Sequence, residues 1–273
     1  MNSKEAPDSS DSMGNGRSQD PRVIAAYEEM ARGFEDRDPR DQRTYMISKL
    51  NTDYVLMETV DIENRTILNV GCSFPVDELY FARKFARWTA VDASHSSLAA
   101  ARTIVDRELH PELAGKISFE HADACDLPFE DSTFDVTVSM STFDHLPSAA
   151  ARQEAVTEMA RTTRPGGFVI VTVANRWCLP YALGIRKMSR EKTLHYGYAY
   201  LFSPLEIRAI GRRAGLDPIH FASSISPPTV WLPGYPIAVR WSARAVFGLM
   251  RLWGYFGRRV GYAFRKPQED SST

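Results

Sequence analysis

Short apolar runs alternate along this chain with stretches whose apolar residues recur at helical spacing. The runs lie at 66–70, 88–91, 117–122, 134–139 and 168–173. The helical stretches between them lie at 76–85, 97–109 and 149–161. Short apolar runs predict buried strands, and their alternation with helices is typical of a parallel sheet covered on both faces. The pattern therefore predicts an α/β fold, built on a doubly wound, mostly parallel sheet.

The segments that flank this core have different patterns. Polar residues dominate the N-terminus, which predicts a disordered tail, and Ser203 followed by Pro204 predicts the start of a late helix. Two final strands are expected at 218–223 and 259–264. The expected division of the chain is a tail at 1–20 and one domain over 21–273, with N-terminal helices at 21–60, a core at 66–174 and insertions at 175–202 and 225–258.

Composition places the chain among soluble globular proteins. It has 273 residues, of which 44% are hydrophobic and 25% are charged. Cys72, Cys125 and Cys178 have neither disulfide-like nor metal-ligand spacing, which indicates a reducing compartment and no metal site. No signal peptide and no run of about 18 apolar residues is present, so we expect a cytoplasmic protein without a membrane-spanning helix.

The net charge of −1 conceals a marked asymmetry. Residues 1–174 hold 18 basic and 29 acidic residues, a balance of −11, whereas 175–268 hold 15 basic and three acidic residues, a balance of +12. A basic half of this kind favours contact with something anionic, although ordinary surface charge explains it equally well.

Segment 236–258 combines arginines at helical spacing with bulky apolar residues. Arg240, Arg244, Arg251 and Arg258 form one cationic stripe if the segment is helical. Such an amphipathic helix suits the inner face of an anionic membrane, a cap over an amphipathic or anionic acceptor, or a dimer contact. A buried helix with one solvent-exposed face explains the pattern equally well. Nucleic acid is a poorer partner, because aliphatic bulk separates the arginines and no recognition motif is present.

Three residues suited to holding a nucleoside follow three successive predicted strands. Gly71 ends the first, Asp92 the second and Asp123 the third. In open parallel sheets, ligands bind at the carboxyl ends of the strands. A glycine there permits close backbone approach, and the two carboxylates can accept from a ribose and an adenine amine. Each residue alone has an ordinary explanation as a turn glycine, a helix cap or a loop carboxylate, but together they favour an adenosine site.

The loop after the first strand argues against a dinucleotide. Ser73 and Val76 stand where the dinucleotide fingerprint has glycines. Asp77 and Glu78 occupy the first helical turn, where a pyrophosphate needs positive potential. A nucleoside that carries a positive charge fits better, and S-adenosylmethionine is such a ligand.

Five motifs in order carry a resemblance to a known family. They are Leu68-Asn69-Val70-Gly71-Cys72, Val91-Asp92-Ala93-Ser94, Ala122-Asp123-Ala124-Cys125-Asp126-Leu127-Pro128-Phe129, Phe134-Asp135-Val136 and Arg164-Pro165-Gly166-Gly167. In this order they resemble class I S-adenosylmethionine-dependent methyltransferases of the small-molecule type. The resemblance covers roughly 66–174, with a similar ending near 203–266. It implies a seven-stranded, Rossmann-like sheet whose last strand is antiparallel.

The resemblance also implies roles for individual residues around the cofactor. It implies that Gly71, Cys72 and Ser73 lie at the methionine part and that Asp92 binds the ribose. It implies that Ala93, Asp123 and Ala124 lie at the adenine and that Ser139 lies beneath the sulfonium. The chain departs from the family at Asn69, where an acid is usual, and at Ser73 and Pro75, where glycines are usual. Losing the acid at Asn69 removes a helper of the cofactor's ammonium group.

Methyl transfer to a hydroxyl oxygen also needs a base. His145, just after the fourth strand, is the candidate, because histidine titrates near neutral pH. A structural histidine is the alternative, and Asp144 either orients it or begins the next helix. His195, in an aromatic cluster at 195–200 that can form an acceptor wall or plain packing, is a second candidate base, and Tyr27 is a candidate cover of the cofactor.

These observations predict an enzyme that transfers a methyl group from S-adenosylmethionine to a small-molecule or lipid-linked acceptor, at oxygen. The altered glycine loop motivates an alternative, in which a non-catalytic member of the family serves as a binding or scaffold protein. A dinucleotide oxidoreductase is a weaker alternative.

Overall fold

The computed structural model describes residues 19–33, 49–224 and 253–268. The predicted tail at 1–20, apart from its last two residues, lies outside the described residues. The predicted insertion at 225–258 and the predicted amphipathic helix at 236–258 also lie outside them, apart from their last six residues. None of the helices in the described ranges is long and apolar enough to cross a membrane.

Seven strands and eight α-helices make up the described fold. The strands are β1 (Thr66–Val70), β2 (Arg87–Asp92), β3 (Ile117–His121), β4 (Phe134–Met140), β5 (Thr163–Ala174), β6 (Asp217–Ser223) and β7 (Arg259–Arg265). The helices are α1 (Pro21–Ala31), α2 (Asp53–Thr59), α3 (Val76–Phe81), α4 (His95–Glu108), α5 (Pro111–Ala114), α6 (Ala149–Thr162), α7 (Leu179–Arg190) and α8 (Pro204–Arg213). Two 3₁₀ helices lie at Phe143–His145 and Trp253–Phe256.

The sheet has the strand order β3-β2-β1-β4-β5-β7-β6. The pairs β3–β2, β2–β1, β1–β4 and β4–β5 are parallel. Strand β7 runs antiparallel to both of its neighbours, β5 and β6. This confirms the predicted doubly wound α/β class and its antiparallel last strand. The strand order reverses between β1 and β4, and ligands bind at such a reversal in open α/β sheets.

Helix starts follow the sequence signals, whereas two elements differ from prediction. Ser203 caps α8 and forms a reciprocal capping box with Glu206.

Helix α7 lies inside the insertion predicted at 175–202, where no helix was expected. Leu179 and Leu183 of this helix are 67% and 61% exposed, and Ala182 and Ile185 are its buried residues. Strand β5 starts at Thr163, before the predicted turn at 164–167, because Thr163 pairs with Phe134 across a register shift.

A buried cluster of charges connects the N-terminal helices to the sheet. The Lys49 ammonium donates to Asp53 Oδ2 at 3.0 Å, and an Arg259 guanidinium nitrogen donates to the same oxygen at 2.8 Å. Arg259 also donates to Thr172 Oγ1 on β5 at 3.1 Å. Asp53 is fully buried, and although burial raises the pKa of its carboxyl, the attraction of Arg259 and Lys49 prevails and holds it below its ordinary value. The ion cluster therefore fixes α2 against β7.

Removing the Asp53 carboxylate should destabilise the fold strongly. Asp53→Ala leaves two buried cations without their shared partner, and we expect a loss of about 3–5 kcal/mol in the free energy of unfolding. Glu58→Ala is the matched control on the same helix, because Glu58 is 59% exposed and pairs with Lys84 only at 3.6 Å. It should change stability by less than about 0.5 kcal/mol. Urea denaturation measures both, and equal effects of the two substitutions would contradict the role assigned to Asp53.

Candidate active site

A cavity of about 550 Å³ opens at the carboxyl ends of the central strands. Its wall includes eight of the ten residues predicted for the site, namely Gly71, Cys72, Ser73, Asp92, Ala93, Asp123, Ala124 and His145. Asn69 and Ser139 are not in the wall, and both side chains bond to other parts of the protein. The Ser139 hydroxyl donates to the Val70 carbonyl at 2.9 Å, and Asn69 bonds to a helix residue as described below. The structure therefore gathers the predicted residues in one cavity, with these two exceptions.

The bend after β1 requires a glycine. Gly71 has φ +80°, and a Cβ atom there would collide with the side chain of Thr142. The Thr142 hydroxyl donates to the Gly71 carbonyl at 3.0 Å, which holds the ends of β1 and β4 together. Ser73 also has a left-handed backbone, with φ +43°. The chain therefore passes under the cavity as bare backbone, which allows a ligand to approach closely.

Asp92 is held by the loops on either side of it. Its two carboxylate oxygens accept from the backbone N–H groups of Ser73 and Ser94, each at 2.9 Å. Burial raises the pKa of Asp92, and these backbone donors counteract the rise. Each oxygen has a second lone pair, so a carboxylate oriented in this way can also accept from a pair of ribose hydroxyls.

The cavity wall beside Asp92, at the ends of β2 and β3, contains small side chains. They belong to Ala93, Ala122 and Ala124. The Asp123 carboxylate accepts from the backbone N–H of Cys125 at 3.0 Å, which fixes the turn that carries it. Small apolar walls beside a fixed carboxylate suit a planar base with an exocyclic amine.

Asp77, in the first turn of α3, offers a site for a cation. Its Oδ2 atom accepts from the Lys49 ammonium at 2.8 Å. Its Oδ1 atom is buried in the cavity wall and has no hydrogen-bond partner among the described residues. Because an unpaired buried carboxylate oxygen is costly, this geometry fits a ligand that brings an ammonium group. The sequence revealed the acid but not that one of its oxygens lacks a partner.

Asn69 serves the framework of the site. Its amide donates to Glu78 Oε1 at 2.7 Å, and the Trp88 indole donates to the same oxygen at 3.0 Å. Burial, followed by the neighbouring Asp77 carboxylate, raises the pKa of Glu78 to about 7. This shared oxygen ties β1, β2 and α3 together behind the cavity.

His145 lies in the cavity wall in a defined tautomer. Its Nδ1 atom is 2.7 Å from the carbonyl oxygen of Tyr198, and because a carbonyl only accepts, Nδ1 carries the hydrogen. Nε2 therefore presents its lone pair, and the Tyr27 hydroxyl donates to it at 3.1 Å. Burial lowers the pKa of His145, which keeps the ring neutral at neutral pH. His195, the second candidate base, is exposed and is not among the cavity residues.

Helix α1 covers the cavity, as expected for Tyr27. Val23, Ile24 and Tyr27 face the cavity from this helix. The Glu28 carboxylate accepts from the backbone N–H and the hydroxyl of Ser96 at the start of α4. These bonds fix the cover over the ends of the strands and limit the access of water.

Asp144 has a different role from both that were predicted for it. Its two carboxylate oxygens accept from the backbone N–H of Ala174, each at 3.0 Å, at the end of β5. Burial raises the pKa of Asp144 to about 7. The prediction that Asp144 orients His145 or begins a helix is therefore wrong, since its carboxylate is occupied by the end of a neighbouring strand.

Comparison with known proteins places this cavity in a family. Residues 68–171 match the family described as a methyltransferase domain. A ubiquinone biosynthesis O-methyltransferase of Ralstonia nicotianae is 26% identical over 207 residues, which are 73% of this chain and 82% of that protein. The chloroplastic tocopherol O-methyltransferase of Arabidopsis thaliana is 35% identical over 114 residues, or 42% of this chain, but the match spans only 30% of that protein. Residues 68–171 are a methyltransferase domain of the S-adenosylmethionine-dependent type. This confirms the resemblance drawn from the ordered motifs.

A solved structure shares the fold of this methyltransferase. The S-adenosylmethionine-dependent methyltransferase of Thermotoga maritima has a TM-score of 0.59 and 16% identity, covering 89% of this chain and 99% of its own. S-adenosylmethionine is the methyl donor, as predicted. The orphaned oxygen of Asp77 fits its ammonium group, and the glycine bend and the small side chains beside Asp92 fit its nucleoside. The prediction of a methyltransferase enzyme is confirmed.

Asp77 and Asp92 should contribute to different parts of cofactor binding. We expect Asp92→Ala to weaken both S-adenosylhomocysteine and 5′-methylthioadenosine about tenfold or more, because both ligands have the ribose. Asp77→Asn should weaken only S-adenosylhomocysteine, because methylthioadenosine has no ammonium group. Calorimetry measures the four affinities, and the exposed Asp106→Asn on α4 is the control. Equal losses for both ligands in Asp77→Asn would refute its assignment to the ammonium.

Asp144 should make stability depend on pH. Its folded pKa of about 7 lies above its ordinary value of 3.8, so between these values the folded protein holds a proton that the unfolded chain has released. This contribution to stability is complete at low pH and is lost as the pH rises toward 7. As the pH rises through this window, the free energy of unfolding of the wild type should therefore fall relative to that of Asp144→Asn. The expected slope is up to about 1.4 kcal/mol per pH unit. Urea denaturation at several pH values measures the slope, and a constant difference would disprove the assignment.

Proposed function

We propose that this methyltransferase methylates a hydroxyl oxygen of a small or lipid-linked acceptor, with His145 as the base. The observation that carries the proposal is a half-buried imidazole in the cavity wall, whose Nδ1–H is held by the Tyr198 carbonyl and whose Nε2 is left as the acceptor. The Tyr27 hydroxyl lies 3.1 Å from that nitrogen and marks the position that an acceptor hydroxyl would take. Both sequence relatives described above are named O-methyltransferases, which supports oxygen as the methylated atom.

The residues of the cavity wall would have separate roles in the reaction. When bound, S-adenosylmethionine supplies a methyl group on a positively charged sulfur. Asp92 would hold the ribose, Asp123 and Ala124 the adenine, and Asp77 the ammonium group, while Gly71, Cys72 and Ser73 pass close to the methionine part. This arrangement fixes the donor, and alignment of donor and acceptor is the main task of a methyltransferase.

His145 receives the proton of the acceptor. When the acceptor oxygen is methylated, Nε2 of His145 would take the proton of the acceptor hydroxyl. The Tyr198 carbonyl accepts from Nδ1 at 2.7 Å and so stabilises the imidazolium that forms. The cover provided by α1 excludes water from the reacting groups.

The proposal extends to where the acceptor is met. The basic balance of residues 175–268 supports an amphipathic or anionic acceptor and contact of a cytoplasmic enzyme with the inner face of a membrane. Liposomes with and without anionic lipid test this part of the proposal. Equal sedimentation of the enzyme with both would remove the membrane contact and leave the chemistry at His145 unaffected.

Removing the base should slow transfer without weakening cofactor binding. We expect His145→Gln to lower kcat by about 10²–10⁴, since that is the usual contribution of a general base. His195→Gln is the matched control, because His195 is exposed and outside the cavity wall. In the wild type the rate should rise with pH through the lowered pKa of His145, below its ordinary value of 6.5, and then stay level. His145→Gln should lose this rise.

Transfer of a radiolabelled methyl group into small-molecule extracts measures the rate, and NMR of the product identifies the methylated atom. A methyl group on nitrogen or carbon would overturn the proposal of O-methylation. Full activity of His145→Gln would overturn its role as base.

A further inference from the structure

Three side chains line the cavity beyond His145, and each comes from a different segment. Tyr181 lies on α7, Tyr196 on the loop before α8, and Arg258 just before β7. The ring centroid of Tyr196 lies 5.2 Å from that of His145, and the Tyr196 and Tyr181 side chains lie next to each other. The Arg258 guanidinium lies 4.5 Å from the centroid of the Tyr181 ring. These side chains form the part of the cavity wall that leads from His145 to a cation.

The position of Arg258 is fixed by its backbone. Its N–H donates to the Ser224 carbonyl at 3.1 Å, and its carbonyl accepts from the N–H of Asn175 at 3.0 Å. The Asn175 amide, at the end of β5, donates to the carbonyls of Tyr255 and Gly257, each at 2.7 Å. The segment that leads into β7 is thus held at the rim of the cavity by a buried side chain.

The charge of Arg258 is available to a ligand. Its neighbour Arg259 pairs with Asp53 at 2.8 Å, but no described carboxylate lies within ion-pair distance of Arg258. A planar guanidinium with phenol hydroxyls beside it is the donor set that recognises a carboxylate or a phosphate. Stacking on the Tyr181 ring reduces the orientations open to the guanidinium, which lowers the entropy lost on binding.

We propose that Arg258, together with Tyr181 and Tyr196, binds an oxyanion group of the acceptor, a carboxylate or a phosphate, at the opposite end of the molecule from the hydroxyl that reaches His145. The inference rests on the proposed function for the position of that hydroxyl. It identifies the acceptor class as hydroxylated acids whose two groups are separated by an apolar body. The rings of Tyr196 and Tyr181 lie beside that body.

Binding of matched probes tests this inference. The carboxylate probes are 4-hydroxybenzoate, 4-hydroxyphenylacetate and 4-hydroxycinnamate, each compared with its neutral amide. A second arm compares 4-hydroxybenzylphosphonate with its diethyl ester and so separates phosphate-like from carboxylate recognition. Calorimetry is done with the full chain saturated with S-adenosylhomocysteine. We expect at least one acid to bind about tenfold or more tightly than its neutral counterpart.

Three variants at two arginines, one just before β7 and one at its end, make the test specific. Arg258→Gln should abolish the preference for the acid. Arg265→Gln removes the same charge at the other end of β7, where Arg265 pairs in register with Phe168 and is exposed, and it should keep the preference. Arg258→Lys retains the charge without the planar fork and should keep part of the preference. Thermal melting checks that all three variants are folded.

The outcomes separate this inference from the proposed function. If no acid binds more tightly than its neutral partner, or if Arg258→Gln keeps the preference, the oxyanion site is wrong. If acids are preferred through Arg258 but no probe is methylated at oxygen, the oxyanion site stands and the reaction assigned to His145 does not. If the acids are both preferred and methylated, both stand.

Discussion

The bend at Gly71 is the constraint on which the rest of the site depends. The ends of β1 and β4 approach so closely there that a Cβ atom at this position would collide with Thr142. Because the strand order also reverses between these two strands, the helices that follow them diverge and leave a cavity above the bend. Asp92 takes its position from that turn, because its carboxylate accepts from the backbone N–H of Ser73. A larger residue at 71 would move the floor of the site, whatever the other side chains were.

The cavity gives the charge asymmetry of the sequence a structural meaning. Asp77, Asp92 and Asp123 line it from the acidic part of the chain, and Arg258 lines it from the basic part. Arg259 also lines it, but its charge is paired with Asp53. In a partly buried cavity the effective dielectric is low, so the attraction of these carboxylates for a cationic cofactor is stronger than at an open surface.

The sequence predicted the strand ends well because strand ends are a local property. Gly71, Asp92 and Asp123 each follow a short apolar run, and a parallel sheet necessarily brings such positions to one edge. The pairing of side chains is not local in this sense. Distances between separate elements decide whether the Asn69 side chain faces the cavity or bonds to Glu78. They also decide whether one oxygen of Asp77 lacks a partner. The same applies to Asp144, whose partner at Ala174 lies thirty residues further along the chain.

The later part of the chain was harder to predict for a related physical reason. Helix α7 buries only Ala182 and Ile185, and its Leu179 and Leu183 are exposed, so packing against the rest of the fold does not mark it as a core helix. Its contribution to the site is Tyr181, an amphipathic residue that sequence periodicity cannot distinguish from packing. Arg258 was visible as one arginine of a stripe, but the stripe did not show that Asn175 holds its backbone at the rim. The fold of a methyltransferase core thus follows from its local pattern, whereas the part that selects an acceptor depends on contacts between segments that are far apart in sequence.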